Sequence, residues 1–322
     1  MNKAMLELSA AHCLRTPVVV DSIAGLLGNT PTVRLDRLAA SRGLDAAVFM
    51  KLEYLNPGGS HKARIALGMV IDAEKRGLLK RGSGQTIVEG TGGNTGIGLA
   101  IAANLLGYRL VLAVPDNYSK DKIKLLRAYG ADVRLSDSRL GRDSHFRLAR
   151  ELLDRNPDWF MPDQLANPVN IQAHYESTGR EIVAAFRRTP IDVFVAGAGS
   201  GGHITGIGRV LKEVWPNVTI CLVQPEGGDF RANVFRPHRI QATAIGLVPQ
   251  NLDLGIVDRY VDVLDEEALA SVRLLMQYEG IGVGLSSGAN IAGCLKIAAT
   301  SGPDTRILCM AYDHVSDYLD AI

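Results

Sequence analysis

A strand-like run, a turn and a helix-like run recur in that order along most of the chain, and this rhythm leaves few folds open. Residues 86–89 precede 95–106, 109–114 precede 120–129, and 132–135 precede 144–153. A second series takes 191–196, 205–214 and 218–223, then 260–264, 266–279, 288–299 and 306–311. Apolar runs spaced this way predict parallel strands joined by crossover helices, an α/β protein. Ahead of them, 33–38 and 48–53 read as strands, 23–27 as a short helix and 1–20 as a loosely packed arm. Residues 167–178 read as irregular and join the two series. No strand is followed by a clean G-x-G-x-x-G with an acidic residue about 20 positions on, so neither series is a dinucleotide unit.

Bulk properties narrow the function by exclusion. The 322 residues are 47% hydrophobic and 21% charged, with a formal net charge of +1, which gives no basis for nucleic acid or an anionic membrane as partner. Cys13, Cys221, Cys294 and Cys309 are far apart, with no metal-ligand spacing. They read as buried small hydrophobes in a reducing compartment. Residues 1–15 lack the unbroken apolar stretch of a secretory signal. The longest apolar run, 99–106, falls far short of the ~20 residues that span a bilayer. Small-molecule chemistry in the cytoplasm is the expectation.

Three glycine-rich stretches carry the chemistry. Asn56-Pro-Gly-Gly-Ser-His-Lys62 ends on a lysine where a helical pattern begins. Burial and the positive end of a helix disfavour an ammonium there, so Lys62 reads either as an activated, imine-forming amine or as a solvated lysine in a first turn. Glu89-Gly-Thr-Gly-Gly-Asn-Thr-Gly96 joins a strand to a helix and exposes backbone N–H groups that suit a carboxylate or phosphate. Gly197-Ala-Gly-Ser-Gly-Gly-His-Ile-Thr-Gly206 is a second such turn, without the Gly-Lys-Ser/Thr ending of a nucleotide loop, and a single phosphate monoester is its economical guest. An activated lysine, a carboxylate cradle and a one-phosphate cradle together describe pyridoxal phosphate carrying an amino acid.

These stretches, with Gly280-Ile-Gly-Val-Gly-Leu-Ser-Ser-Gly288, resemble the ordered motifs of the cysteine synthase and cystathionine β-synthase family of fold-type II pyridoxal-phosphate enzymes. The resemblance runs from about residue 23 to 319. It implies a tryptophan synthase β-like fold of two domains, each with a mostly parallel sheet flanked by helices. Residues 1–55 and 168–322 form the larger, phosphate-binding unit, and 56–167 a smaller mobile one. It implies pyridoxal 5'-phosphate as cofactor, amino-acid substrates and a homodimer. Lys62 matches the lysine that links to the cofactor and removes the Cα proton. Asn94 matches the partner of the ring hydroxyl; Thr91, Gly92, Gly93 and Thr95 match the carboxylate loop, which Gln164 also approaches. Gly199, Ser200, Gly201, Gly202 and His203 match the phosphate loop.

Four departures qualify the match. Gly92 stands where the family has a serine, removing a hydroxyl. His203 replaces a threonine, and reads either as a phosphate donor or as a buried structural histidine. Asp313-His-Val-Ser-Asp-Tyr-Leu319 aligns with a segment whose serine meets the pyridine nitrogen, which favours His314 for that role, with Asp313 as competitor. In Gln241-Ala-Thr-Ala-Ile-Gly-Leu247, where cysteine synthases are glycine-rich, Ala242, Thr243 and Ile245 are expected to reshape the pocket. Tyr118, Lys120 and Lys122 read either as solvated surface or as recognition of an anionic group, and His61 as packing or a cap. The implied activity is β-replacement on O-acetyl- or O-phosphoserine through an aminoacrylate, with sulfide, a thiol or an amine as acceptor, and the reshaped pocket suggests a reaction other than housekeeping sulfide addition. Specialised siderophore or antibiotic biosynthesis is the setting this suggests. The rivals are an eliminating lyase or dehydratase and a non-catalytic binding protein that retains the fold.

Overall fold

Val193–Gly197 is buried at every position, as a strand covered on both faces must be. In the computed structural model, which describes residues 19–321, this run is a central strand of the larger of two sheets. The strands, in chain order, are β1 (Thr32–Arg34), β2 (Ala47–Leu52), β3 (Thr86–Gly90), β4 (Arg109–Pro115), β5 (Asp132–Ser136), β6 (Val193–Gly197), β7 (Thr219–Pro225), β8 (Arg259–Val263) and β9 (Arg306–Ala311). The helices are α1 (Asp36–Ser41), α2 (Lys62–Lys75), α3 (Asn94–Leu106), α4 (Lys120–Ala128), α5 (Ser144–Arg155), α6 (Val169–Ala173), α7 (Arg180–Ala185), α8 (Gly202–Val214), α9 (Asp265–Glu279) and α10 (Leu285–Ala298).

The larger sheet has the order β1-β2-β9-β6-β7-β8 and the smaller β3-β4-β5. All pairings are parallel except β1 with β2, so the expected crossover architecture holds. Alternation along the strands divides the large core in two. Val195, Cys221, Val223 and Cys309 pack with α9 and α10, while Phe194, Ile220, Leu222 and Leu308 pack with α8 on the opposite face. In the small sheet Ile87, Leu110, Leu112 and Val133 face α2 and α3, and Val88, Val111 and Ala113 face Ala149 of α5. Among the described residues no helix is long and apolar enough to cross a membrane.

Two expectations fail here. The strand expected over 33–38 stops at Arg34, and α1 starts at Asp36, because Leu35 and Leu38 are buried at a helical spacing of three that period-two reading also accepts. The stretch 167–178 is not irregular. Pro168 caps α6, a π-helical turn spans His174–Gly179, and α7 follows. Its inward stripe is polar: Asn170, His174 and Thr178, all fully buried, lie four apart. A hydrophobic period is therefore absent although the helix is real. The arm expected over 1–20 lies, but for its last two residues, outside the described residues.

Candidate active site

Lys62 opens α2 directly after the Pro57-Gly58-Gly59 turn, where Gly58 has φ 77° and a Cβ would lie 2.8 Å from Ile101 Cδ1. Only glycine tolerates both the left-handed backbone and that approach. The helix is held from below by buried ions. Arg64 donates to Glu53 at 2.7 and 2.8 Å and to Glu181 at 2.6 and 2.9 Å, and Lys51 sits 2.7 Å from Glu181. Two positive and two negative side chains thus neutralise one another between β2, α2 and α7. Burial competes with this pairing at Glu181, but Arg64 and Lys51 hold its carboxyl down to about 2. Sequence reading misses this cluster, since it reaches from Lys51 to Glu181 along the chain and charge alone does not announce burial.

With α2 fixed, the Lys62 amine faces a cavity of about 240 Å³. Its Nζ lies 3.4 Å from Ser200 Oγ. Desolvation pulls its pKa down to about 8, partly offset by the Asp313 carboxylate. Lys62 is half-buried with its amine at the cavity, a placement that favours the activated amine of the two readings.

Thr91, Gly92, Gly93, Asn94 and Thr95 line the same cavity, at the turn from β3 into α3, whose first backbone N–H groups lack intrahelical partners. Thr95 Oγ1 donates to Gln164 Oε1 at 2.6 Å, so the expected carboxylate-facing glutamine is tied to the loop it was expected to assist. Across the cavity Gly199, Ser200 and Gly201 form the approach to α8, with Gly202 its first residue. Cβ atoms on Gly199 and Gly202 would lie 2.3 Å from Ala242 O and from Asn170 Oδ1 respectively, and Gly201 has φ 82°. Asn170 Nδ2 also donates to Ser200 Oγ at 2.9 Å, locking the turn against α6.

His203 follows this turn, but its imidazole packs into a buried cluster with His61, His174 and Tyr312, at ring-centroid distances of 5.5, 5.1 and 5.0 Å. Burial drives its pKa down to about 3, with Lys62 and Arg64 adding to the effect. The ring is thus buried and neutral, yet it also borders the cavity with both nitrogens lacking a protein partner, so the structural and the phosphate-donor readings both stand. His61 belongs to the same cluster, as packing.

The expectation for His314 is corrected by the fold. Beyond β9 the chain stays extended, with Asp313 bridging to Ser60 and His314 to Val283, and successive side chains of an extended segment point to opposite sides. Asp313 turns inward, 1% exposed, and lines the cavity; His314 is exposed, bonded through Nδ1 to Ser316 Oγ at 3.0 Å. Asp313 Oδ2 accepts from Asn94 Nδ2 at 2.7 Å and from the Tyr318 hydroxyl. Burial raises its carboxyl pKa, while the bonds from Tyr318 and Asn94 oppose the rise. The Gln241 loop also faces inward: Gln241, Ala242, Thr243 and Ile245 border the cavity, with Ala242 at φ 61° and Ala244 at φ 46°. Lys120 is exposed, whereas Lys122 is 8% exposed and borders the cavity beside Asp317, with its ammonium 4.7 Å from the centroid of the Tyr318 ring.

These residues fit a phosphorylated pyridine aldehyde. Asn94 Oδ1 and Asp313 Oδ1 are buried without a hydrogen-bond partner, on two residues that line the cavity. Such orphaned acceptors carry a cost unless a ligand donates to them, and a ring hydroxyl and a protonated ring nitrogen are donors of the required kind. The glycine cradle at α8 leaves backbone N–H groups for a phosphate.

The comparisons with known proteins agree with this fit. The chain is 40% identical over 305 residues to a probable cysteine synthase of Bacillus subtilis (strain 168), covering 94% of this chain and 96% of that one. It is 40% identical over 300 residues to the O-ureido-L-serine synthase of Streptomyces lavendulae, covering 93% and 91%. A crystal structure of O-ureido-L-serine synthase superposes with a TM-score of 0.90 at 39% identity over 95% of each chain. The pyridoxal-phosphate dependent enzyme family model matches residues 23–313, and the chain belongs to that family.

Proposed function

We propose that the protein is a pyridoxal-phosphate-dependent β-replacement enzyme that acts on an activated L-serine, an O-acetyl or O-phospho ester, and adds a sulfur or amine nucleophile. The observation that carries this reading is the convergence of Lys62 Nζ, the Thr91–Thr95 loop and the Gly199–Gly201 turn on one cavity. When bound, the cofactor supplies an electron sink for negative charge at the substrate Cα. The chain supplies the rest. Lys62, desolvated to a pKa of about 8, is neutral in about one molecule in ten at pH 7, against about one in 3,000 for an unshifted lysine, and is the base for the Cα proton. Amides of the Thr91–Thr95 turn, with Gln164, hold the carboxylate, and those of Gly199–Gly202 hold the phosphate. Asn94 accepts from the ring hydroxyl. Asp313, rather than His314, meets the ring nitrogen, where a carboxylate keeps that nitrogen protonated.

Closure of the unit 56–167 on the larger unit (1–55 with 168–322) excludes water from the reacting β-carbon. The side chains of Ala242, Thr243 and Ile245 at the cavity support an acceptor other than sulfide, and specialised amino-acid or antibiotic biosynthesis as the setting. A cytoplasmic homodimer completes the proposal, the dimer on family habit. The compartment is supported by Cys221, Cys294 and Cys309 being free and buried.

The test is spectroscopic. Loaded protein is expected to absorb near the visible edge, Lys62→Ala to lose that band, and O-acetyl-L-serine or O-phospho-L-serine to shift it. A band indifferent to both esters would sink the reading. Acceptors are then screened among sulfide, thiols, amines and hydroxyurea, the nucleophile an O-ureido product requires. Keto-acid release that continues unchanged in the presence of every acceptor would instead identify an eliminating lyase.

A further inference from the structure

The floor of the carboxylate loop has no side chain at its centre, and the reason is visible in its neighbours. A Cβ on Gly92 would lie 2.7 Å from Val114 Cγ1 and 2.9 Å from both Cδ1 and Cε1 of Tyr118. The space that a residue-92 side chain needs is filled by the Tyr118 ring. The same ring carries its hydroxyl to 3.0 Å from the point where Gly93 would bear a Cβ, and Tyr118 lines the cavity. Gly92, Gly93 and Tyr118 therefore form one unit, in which two glycines make room for a phenol that leans over them.

Position and protonation state limit what that hydroxyl can do. Tyr118 ends the turn after β4, with its N–H bonded to Pro115 O at 3.1 Å, and Ser119 then caps α4. The ring is thus anchored at the carboxyl end of a parallel strand, where ligands of α/β sheets collect. Desolvation, with the charges of Asp313 and Asp317, pushes its pKa up to about 12, so the phenol stays protonated and is a hydrogen-bond donor, not a base. A neutral donor beside backbone N–H groups suits an anionic oxygen.

We infer that Tyr118 is a substrate-binding and specificity-determining residue that donates its hydroxyl hydrogen bond to the carboxylate of the amino-acid substrate, in place of any side chain at position 92. The assignment rests on the proposed amino-acid site but concerns recognition, not turnover.

Tyr118→Phe keeps the ring over Gly92 and removes only the donor. The cofactor-loaded wild type and variant are titrated by calorimetry with L-alanine, which has no leaving group, and with L-alaninamide, which lacks the carboxylate. A hydrogen bond to a charged group predicts that the variant binds L-alanine roughly tenfold more weakly and L-alaninamide within about twofold of wild type. Equal weakening toward both ligands, or none, overturns the inference while leaving the proposed reaction standing. Wild-type protein that binds neither ligand overturns both. Should the variant fold poorly, a crystal structure of the wild type with L-alanine decides: a Tyr118 hydroxyl beyond hydrogen-bond distance of the carboxylate, ~2.5–3.0 Å, refutes the assignment.

Discussion

In the proposed role of Lys62, its amine sets the pH at which the protein captures its cofactor. Imine formation consumes the neutral amine, and burial brings the pKa from 10.5 to about 8. At pH 8 about half the amines are neutral, against about 1 in 300 for an unshifted lysine. The rate of absorbance gain on adding cofactor to stripped protein is therefore expected to rise with pH and level off just above 8. A rate still climbing tenfold per pH unit at pH 9.5 would place the lysine in solvent. Asp313 raises this pKa, so in Asp313→Asn the plateau begins at a lower pH. A second residue-scale expectation concerns Gly92. Gly92→Ser must displace Val114 or Tyr118, and overpacking of this kind costs about 1–3 kcal/mol. A lowered urea midpoint at unchanged slope is the expected result; an unchanged midpoint would mean that the loop yields freely.

Among the elements, α2 carries Lys62, the proposed catalytic lysine, and its position depends on the buried ions beneath it. Arg64 is 4% exposed and engages both Glu53 and Glu181. Removing one partner of a buried pair leaves the other charge stranded, so Arg64→Ala is expected to cost about 3–5 kcal/mol by urea unfolding. The pH dependence has a definite sign. The Glu181 carboxyl is depressed from 4.5 to about 2, so its contribution to stability is fully present above 4.5 and is lost as the pH falls toward 2. Acid titration of stability should show this loss in the wild type and a smaller one in Arg64→Ala.

The same scale explains what the sequence makes legible. Glycine-rich turns at strand ends are readable because they need either a left-handed backbone, as at Gly58 and Gly201, or the space a Cβ would fill, as at Gly92 and Gly199, so Lys62, Asn94 and Gly199 fall into place at once. The α6–α7 segment is not readable, since its buried stripe of Asn170, His174 and Thr178 is polar, with Asn170 Nδ2 bonded to Gln164 O and His174 Nδ1 to Thr178 Oγ1, and shows no apolar period. Asp313 and His314 differ by one position in an extended segment, and only the neighbouring strands decide which of the two faces inward.

At the scale of the whole molecule, the site belongs to neither sheet alone. Lys62 and the Thr91–Thr95 turn pack with the small sheet, whereas Gly199–Gly202 and Asp313 extend from β6 and β9 of the large one. A ligand that donates to Asn94 and Asp313 and accepts from α8 therefore joins the two sheets as well as filling the cavity. Anything that binds only the folded state stabilises it by mass action, by about 2.7 kcal/mol at a hundredfold excess over its dissociation constant. Cofactor removal is expected to lower the midpoint of thermal unfolding by several degrees, about 2–4 °C per kcal/mol for chains of this order of size. Because the link is made from both sides, weakening either side should shrink the increment. Lys62→Ala removes the proposed covalent tether, and Asp313→Ala removes an acceptor on the large-sheet side; each should gain less from added cofactor than the wild type in calorimetric scans. If pyridoxal phosphate raised the midpoint of Asp313→Ala as much as that of wild type, the ring nitrogen would have to be met elsewhere. The covalent and phosphate contacts alone would then join the two sheets.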